Sequence, residues 1–281
     1  MPPENIYIYT HRAVAFLDVL GFQNKLNEFE NEAVEFHNAI SDDDVTDLEG
    51  PYYYSQSANE FIETFNSAIS RLDTDKFSYY LFSDNICITA NNTVIEGESS
   101  LIELLLIISE LYFEFVQKGY FLRGGIDYGL FTDQASIALG VPLATAYKME
   151  SNLAVFPRII LSNSFVSQLQ IYLSEDEVKF SSLLAENLIL ESCEIKYLNI
   201  FNHIFKVDDK EYYFELFSKN IESNILASKD KEAIFLKYKW LADEFNLFIQ
   251  KYTTSLAFYD EDIEVTEEHL NNVKNFIINY G

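Results

Sequence analysis

The chain has 281 residues, 48% of them hydrophobic, so it can bury a sizeable core and is not a disordered polypeptide. Its 19 basic and 45 acidic side chains give a formal charge of −26, which repels phosphate backbones and anionic lipid and argues against nucleic-acid or membrane-surface binding. One small anionic ligand is compatible with that charge where cations or a few basic residues neutralise it locally.

No apolar run approaches the roughly 20 residues that a membrane span needs. The start, Met1-Pro-Pro-Glu-Asn5, lacks the basic and apolar regions of a signal peptide. Cys87 and Cys193 read as core thiols, not a disulfide framework, and a cytoplasmic protein is the expectation.

In chain order, His11 to Val19 reads as the first strand. Its run Ala13-Val14-Ala15-Phe16-Leu17-Asp18-Val19-Leu20-Gly21-Phe22 is apolar apart from one carboxylate near its end, and a glycine follows. Asp18 admits two readings: a cap for the helix starting near Phe22, or a carboxylate that recovers its lost hydration from a divalent cation. A second carboxylate in an equivalent setting decides for the cation, and the chain supplies one at Asp84.

Phe22 to Ile40 has helical apolar spacing, and Ser41 to Ser57 reads as a polar, acidic loop broken at Gly50-Pro51. Its Asp42-Asp43-Asp44 run reads as solvated charge rather than a metal cluster, and Tyr52-Tyr53-Tyr54 as loop packing. Phe61 to Leu72 is a second helix. Phe77 to Ala90 forms two short strands around a tight turn at Ser83-Asp84-Asn85. Ser99 to Lys118 is an amphipathic helix ended by Gly119. Tyr120 to Gly129 and Phe131 to Leu139 read as two strands, with Gly124-Gly125 beside Arg123 marking a close backbone approach. Val141 to Asn152 is a helix, Pro157 to Ser162 a strand and Ser164 to Leu173 a helix. Beyond Ser174, Ile204 to Lys206 and Tyr212 to Leu216 read as an antiparallel pair, and Ile221 to Tyr252 and Thr266 to Tyr280 as terminal helices.

This order predicts an α+β fold of two layers with a mostly antiparallel sheet. Residues 1–174 read as the main domain, and residues 175–281 add strands and a helical appendage to the same unit. Asp18 and Asp84 then fall at the centre of the sheet. Two carboxylates brought together repel unless a cation joins them, and two carboxylates around Mg²⁺ or Mn²⁺ are a common way to hold a nucleoside triphosphate. The four histidines are scattered, and no Ser-His-Asp set, P-loop or dinucleotide fingerprint is present.

Four motifs, Phe16-x-Asp18-x-x-Gly21-Phe22, Ser83-Asp84, Arg123-Gly-Gly-Ile126-x-x-Gly129 and Gly140-x-x-x-x-x-Ala146-x-Lys148-Met149-Glu150, resemble class III nucleotidyl cyclases over roughly residues 10 to 165. The resemblance implies a cyclase-like sandwich with helices on one face of the sheet. It implies two divalent cations, Mn²⁺ or Mg²⁺, on Asp18 and Asp84, supplemented by the Val19 carbonyl and the amides near Gly21-Phe22. It also implies a head-to-tail homodimer in which Lys148 serves the site of the other chain.

The departures narrow the resemblance. Tyr80 stands where purine cyclases carry a base-reading lysine, Ser83 where they carry glycine, and Ile137 where they carry the second base-reading acid. Their transition-state asparagine falls on Ala144 and their arginine on Lys148, a point charge without the bidentate fork. This pattern is similar to the Pycsar pyrimidine cyclases of bacterial antiviral defence. It implies conversion of UTP to cyclic UMP and pyrophosphate, with a downstream effector that responds to the cyclic nucleotide. Tyr80, Arg123 and Phe22 would then meet the substrate, and Asp18, Asp84 and Lys148 would carry catalysis. A cytidylate cyclase, or a degenerate cyclase that binds nucleotide without turnover, are the alternatives. Each singled-out residue has a structural reading beside its functional one: Lys148 as a solvated helix residue, Arg123 as a partner of nearby acids, Tyr80 as core, and Asp127 as a hydrogen-bonded strand residue rather than a third metal ligand.

Overall fold

A computed structural model describes residues 8–39, 52–90, 100–133, 137–175, 188–254 and 266–280. The Asp42-Asp43-Asp44 run lies outside them.

Strand β1 (Thr10–Val19) is the spine. Side chains alternate across a strand, and here the two sets diverge. Ala13, Ala15, Leu17 and Val19 are at most 1% exposed and belong to the main core. Val14, Phe16 and Asp18 point to the other face. On one side β1 pairs antiparallel with β3 (Asn85–Ala90), which puts Asp18 opposite Asn85. On the other it pairs antiparallel with β4 (Leu122–Thr132), which puts Asp18 opposite Arg123. With β2 (Phe77–Phe82), β6 (Ile159–Leu161), β7 (Ile189–Ser192) and β8 (Ile195–Leu198) the sheet runs β2-β3-β1-β4-β6-β8-β7, and the short β5 (Leu139–Gly140) lies against the end of β4. Among the described residues only the β4–β6 ladder is parallel. The fold is a mostly antiparallel α+β sheet, as the element order predicts.

Helices α1 (Phe22–Ala39), α2 (Gln56–Ile69) and α3 (Ser100–Val116) contribute to the core that covers the Leu17 side. The predicted second helix starts five residues early because the Ser55 hydroxyl accepts from the Ala58 amide at 3.0 Å and caps it there. Tyr52 and Tyr54 pack on Phe36 and Tyr53 on His37, all from α1. One helix lies on the opposite face. Helix α4 (Val141–Asn152) crosses β4 and β1, and a Cβ at Gly125 would sit 2.6 Å from the Ala146 carbonyl oxygen and 2.8 Å from Met149 Cβ. The glycine lets this helix lie directly on the strand, the close approach expected of the Gly124-Gly125 pair. Helix α5 (Asn163–Glu175) follows β6.

The last hundred residues differ most from expectation. Ile204 to Lys206 and Tyr212 to Leu216 are not a strand pair. They belong to a 3₁₀ helix (Ile200–Lys206) and to α6 (Lys210–Ala227), whose start is fixed by the Asp209 carboxylate accepting from the Tyr212 amide at 2.9 Å. Tyr213, Phe217, Ile221 and Ile225 then recur at helical spacing and are buried. The single helix predicted over Ile221 to Tyr252 breaks at Ser228 into α6 and α7 (Glu232–Thr254), and α8 (Glu267–Lys274) starts at the Thr266 cap. Of the strand predicted over Phe131 to Leu139, the described residues form the end of β4 and the first residue of β5, and residues 134–136 lie outside them. The β7–β8 hairpin turns on Cys193 and Glu194, with φ of 51° and 65°, a left-handed pair that is usually signalled by Asn or Gly. Helices α6 and α7 share one continuous core with the β1 face: Phe113 of α3 stacks on Tyr213 at 4.6 Å, and Phe121 meets Tyr238 at 5.7 Å.

Candidate active site

Asp84 sits in the two-residue turn between β2 and β3, closed by the Phe82–Asn85 pair. Ser83, the first turn residue, has a φ of 56°, a left-handed conformation in which such turns favour glycine. Asn85 donates from Nδ2 to the Phe82 carbonyl at 3.2 Å and to Asp84 Oδ1 at 3.3 Å, which steadies the carboxylate. Since Asn85 is also the β1 partner of Asp18, this turn brings Asp84 to Asp18. The two carboxyls are within hydrogen-bonding reach of each other.

Burial, first, and the neighbouring Asp84 carboxyl push Asp18 up to about 7 against the opposing pull of Arg123. Arg123 reaches across from β4 and donates from Nε to Asp18 Oδ2 at 2.8 Å, with Nη2 also 2.8 Å from that oxygen. The same Nη2 pairs with Glu150 Oε1 of α4 at 2.7 Å, and Ser151 donates to Glu150 Oε2 at 2.8 Å. Glu150 is 4% exposed. One guanidinium thus ties the end of β1 to α4 through two carboxylates. Breaking such a pair leaves a buried charge unmatched, so these contacts also fix where α4 rests.

The other predicted site residues fall in different places. Tyr80 lies on the Asp18 side of the sheet, beside Phe16 and Cys87, and bonds to Asp133. Burial, then that carboxylate, raise its hydroxyl to about 12. Asp133 also holds Arg12 at 2.7 Å. Lys148 is exposed on α4, with no hydrogen-bond or ion-pair partner among the described residues. The Phe22 ring is 5% exposed and stacks on Phe61 at 4.5 Å in the main core, so its backbone amide is the part left to meet a substrate. The Val19 side chain is likewise buried, at 1% exposure, and what it can offer a cation is its carbonyl. Asp127 accepts from Ser162 Oγ at 2.5 Å and from Ser164 Oγ at the start of α5, which accounts for it as a hydrogen-bonded strand residue. Ile137 is exposed, as is Ala144 on α4.

Among the described residues no three His, Cys, Asp or Glu side chains gather as a ready-made metal cage. The Asp18–Asp84 pair nonetheless fits divalent cations of the magnesium type, which take one or two carboxylates and complete their shell with main-chain, water and phosphate oxygens. The raised Asp18 value comes chiefly from burial and then from the Asp84 carboxyl, and a cation there would favour the charged form.

Glu150 and Lys237 lie near this centre, and Asp133 lies past the far end of the β1–β4 ladder. Glu150 stands inside a quoted motif, but nothing in its spacing shows that it faces Arg123. Asp133 was signalled by nothing. Lys237 of α7 is half-buried, and burial together with the Arg123 charge lowers its ammonium, while Asp18 and Glu150 pull it back up. It arrives from a segment more than two hundred residues further along the chain, a proximity no local pattern encodes.

No protein-family model and no curated protein matches the sequence. Among solved structures, the catalytic core of a rhodopsin–guanylyl cyclase with converted specificity, in complex with ATPαS, is similar at 14% identity and a TM-score of 0.38. The match covers 68% of this chain and 96% of that one. At this level the chemistry has to be argued from the residues of the site itself.

Proposed function

We propose that the protein is a nucleotidyl cyclase of the class III type, acting on a pyrimidine nucleoside triphosphate, with UTP the favoured substrate and CTP the alternative. The single observation that carries this reading is the convergence of Asp18 and Asp84 at the open end of β1. Burial and the nearby Asp84 carboxyl both hold Asp18 above its ordinary range, which supports a site built to take a cation.

In the reaction the ribose 3′-oxygen bonds to the α-phosphorus and gives its proton to water. The α–β phosphoanhydride bond breaks, and pyrophosphate leaves with the electron pair. Two divalent cations held by Asp18, Asp84 and the Val19 carbonyl would supply acidity to the 3′-hydroxyl and positive charge to the phosphates. The chain's own groups do the rest. Asp84 is steadied by Asn85, and Asp18 by Arg123. Arg123 acts in this state as a positioning residue, because both of its contacts are carboxylates of the protein. On nucleotide entry, an anion competing for that guanidinium would free Asp18.

The missing purine contacts support the pyrimidine assignment: Tyr80, its hydroxyl bonded to Asp133, stands where a lysine would read adenine, and Ile137 offers no hydrogen bond. Lys148 is exposed and unpaired among the described residues, which suits a cation that serves the site of a partner. Phe82, Val141 and Tyr147, at 80%, 75% and 54% exposed, are large apolar groups beside the site and on α4, as a homodimer interface would require. A role in antiviral signalling through a cyclic-nucleotide effector follows from the resemblance alone. One observation favours the non-catalytic alternative: Arg123 already neutralises Asp18.

The test is to incubate the protein with each of the four nucleoside triphosphates and Mn²⁺ and to separate the products. Cyclic UMP or cyclic CMP, absent from Asp18→Ala, is expected. Cyclic AMP as the main product would overturn the base assignment, and no cyclic product from any of the four would overturn the enzyme.

A further inference from the structure

Between the β1–α1 turn and the corner joining α6 to α7 lies a cavity of about 270 Å³. Its walls include Gly21, Asn24, Tyr120, Lys231, Lys237 and Tyr238. Lys25 and Glu28 also line it, and they pair with each other at 2.7 Å, which leaves Lys231 and Lys237 as its remaining charged lining groups. Neither makes an ion pair among the described residues. In a chain with 19 basic against 45 acidic side chains, a cavity with net positive charge runs against the whole surface. Such a pocket concentrates anions from a field that otherwise repels them.

Its position is as informative as its charge. Leu20 and Gly21, in its wall, follow Asp18 by two and three residues, so the cavity lies just beyond the end of β1 that carries Asp18. Gly21 has a φ of 77°, and nothing lies within 4 Å of where its side chain would be. Backbone and open space therefore face each other at the turn. Lys237 lines the cavity and also lies within electrostatic range of Asp18, Arg123 and Glu150, so it bridges the two places.

We propose that this cavity receives the polyphosphate end of a nucleoside triphosphate held at Asp18 and Asp84, with Lys237 and Lys231 as its counter-charges. The inference rests on the nucleotidyl-transfer reading for the identity of the ligand and gives the C-terminal helices a part in the site. Two lysines from α7 and its entry turn then supply charge that the exposed Lys148 cannot supply to its own chain's phosphates. They also neutralise pyrophosphate as it leaves.

The test is a calorimetric titration of the full chain with sodium tripolyphosphate in the presence of chelator, at constant ionic strength. Saturable binding is expected, weakened roughly 10- to 100-fold in Lys237→Gln and retained in Lys237→Arg, with the melting temperature of both variants near wild type. In turnover assays Lys237→Gln should raise the KM for the triphosphate more than it lowers kcat. Absence of saturable tripolyphosphate binding to the wild type, or Lys237→Gln binding as tightly as the wild type, would overturn the proposal. Tripolyphosphate binding that depends on Lys237, in a protein that cyclises no nucleotide, upholds the cavity and removes the cyclase. Cyclisation with an unchanged KM in Lys237→Gln does the reverse.

Discussion

The two faces of the sheet are built from alternate residues of the same strands and obey different rules. On one face Ala13, Ala15, Leu17 and Val19 of β1 meet Ile86, Ile88 and Ala90 of β3, all at most 2% exposed, under α1–α3 and the C-terminal helices. On the other, Phe16 and Asp18 lie with Gly125 and Arg123 on the α4 side, and charge holds the parts together. The first face is dry and accounts for stability. The second keeps two carboxyls in contact beside a guanidinium, an arrangement that costs stability and makes sense as chemistry.

Substitutions on the two faces should therefore separate activity from folding. Asp84→Asn is expected to lower cyclisation on the order of 100-fold or more while leaving the melting temperature near wild type, read by product separation and calorimetry. Leu17→Ala, one residue from Asp18 but facing the other way, should cost about 2–5 kcal/mol in denaturant unfolding. Equal effects of the two on stability would erase the distinction. Gly125→Ala tests the seam between sheet and α4, where the added methyl would meet the Ala146 carbonyl at 2.6 Å. A loss of about 1–3 kcal/mol is expected, with activity reduced because Glu150 moves with the helix.

The faces should also respond oppositely to pH. The folded protein holds Asp18 at about 7 against an ordinary 3.8, so it keeps a proton that the unfolded chain releases, and stability falls as pH rises between those values. His203, packed by Phe113 and Tyr213 in the main core, is lowered from 6.5 to about 4, chiefly by burial and then by Lys206 and Arg71. There the unfolded chain takes up the proton first, and stability is lost as pH falls from 6.5 to about 4. Without divalent cations, Asp18→Asn should gain on the wild type in melting temperature as pH rises toward 7, and His203→Phe should gain as pH falls toward 4. A constant offset across pH for either variant would contradict its assignment. The smallest effect is at the turn: Ser83→Gly should stabilise by about 1 kcal/mol or less, because glycine adopts the left-handed φ of 56° without strain.

The legible parts of the chain were those whose signals are local. The apolar run around Asp18, the Ser83-Asp84 turn and the glycines beside Arg123 each mark a strand, a hairpin or a close approach, and together they mark the sheet's central strands. The C-terminal third was harder to read because its strands are four residues long and turn on Cys193-Glu194, and because Tyr212 to Leu216 is rich in aromatics that suit strand and helix alike. The Asp209 cap and the burial of Tyr213 and Phe217 decide for a helix there. Phe22 was assigned to the substrate from its motif position, whereas Gly21 turns the chain so that the ring enters the core. Glu150 and Lys237 join the site only through tertiary packing, which spacing along one sequence does not report.

The central claim is that Asp18 and Asp84 act together on one cation-holding site. The direct measurement is Mn²⁺ binding at pH 8, followed by electron paramagnetic resonance of the free ion, in the wild type, Asp18→Asn and Asp84→Asn, with a pyrimidine triphosphate present. Binding by the wild type, and its loss in both variants while each remains folded, is the expected result. Mn²⁺ binding that survives either substitution at wild-type affinity would contradict the account.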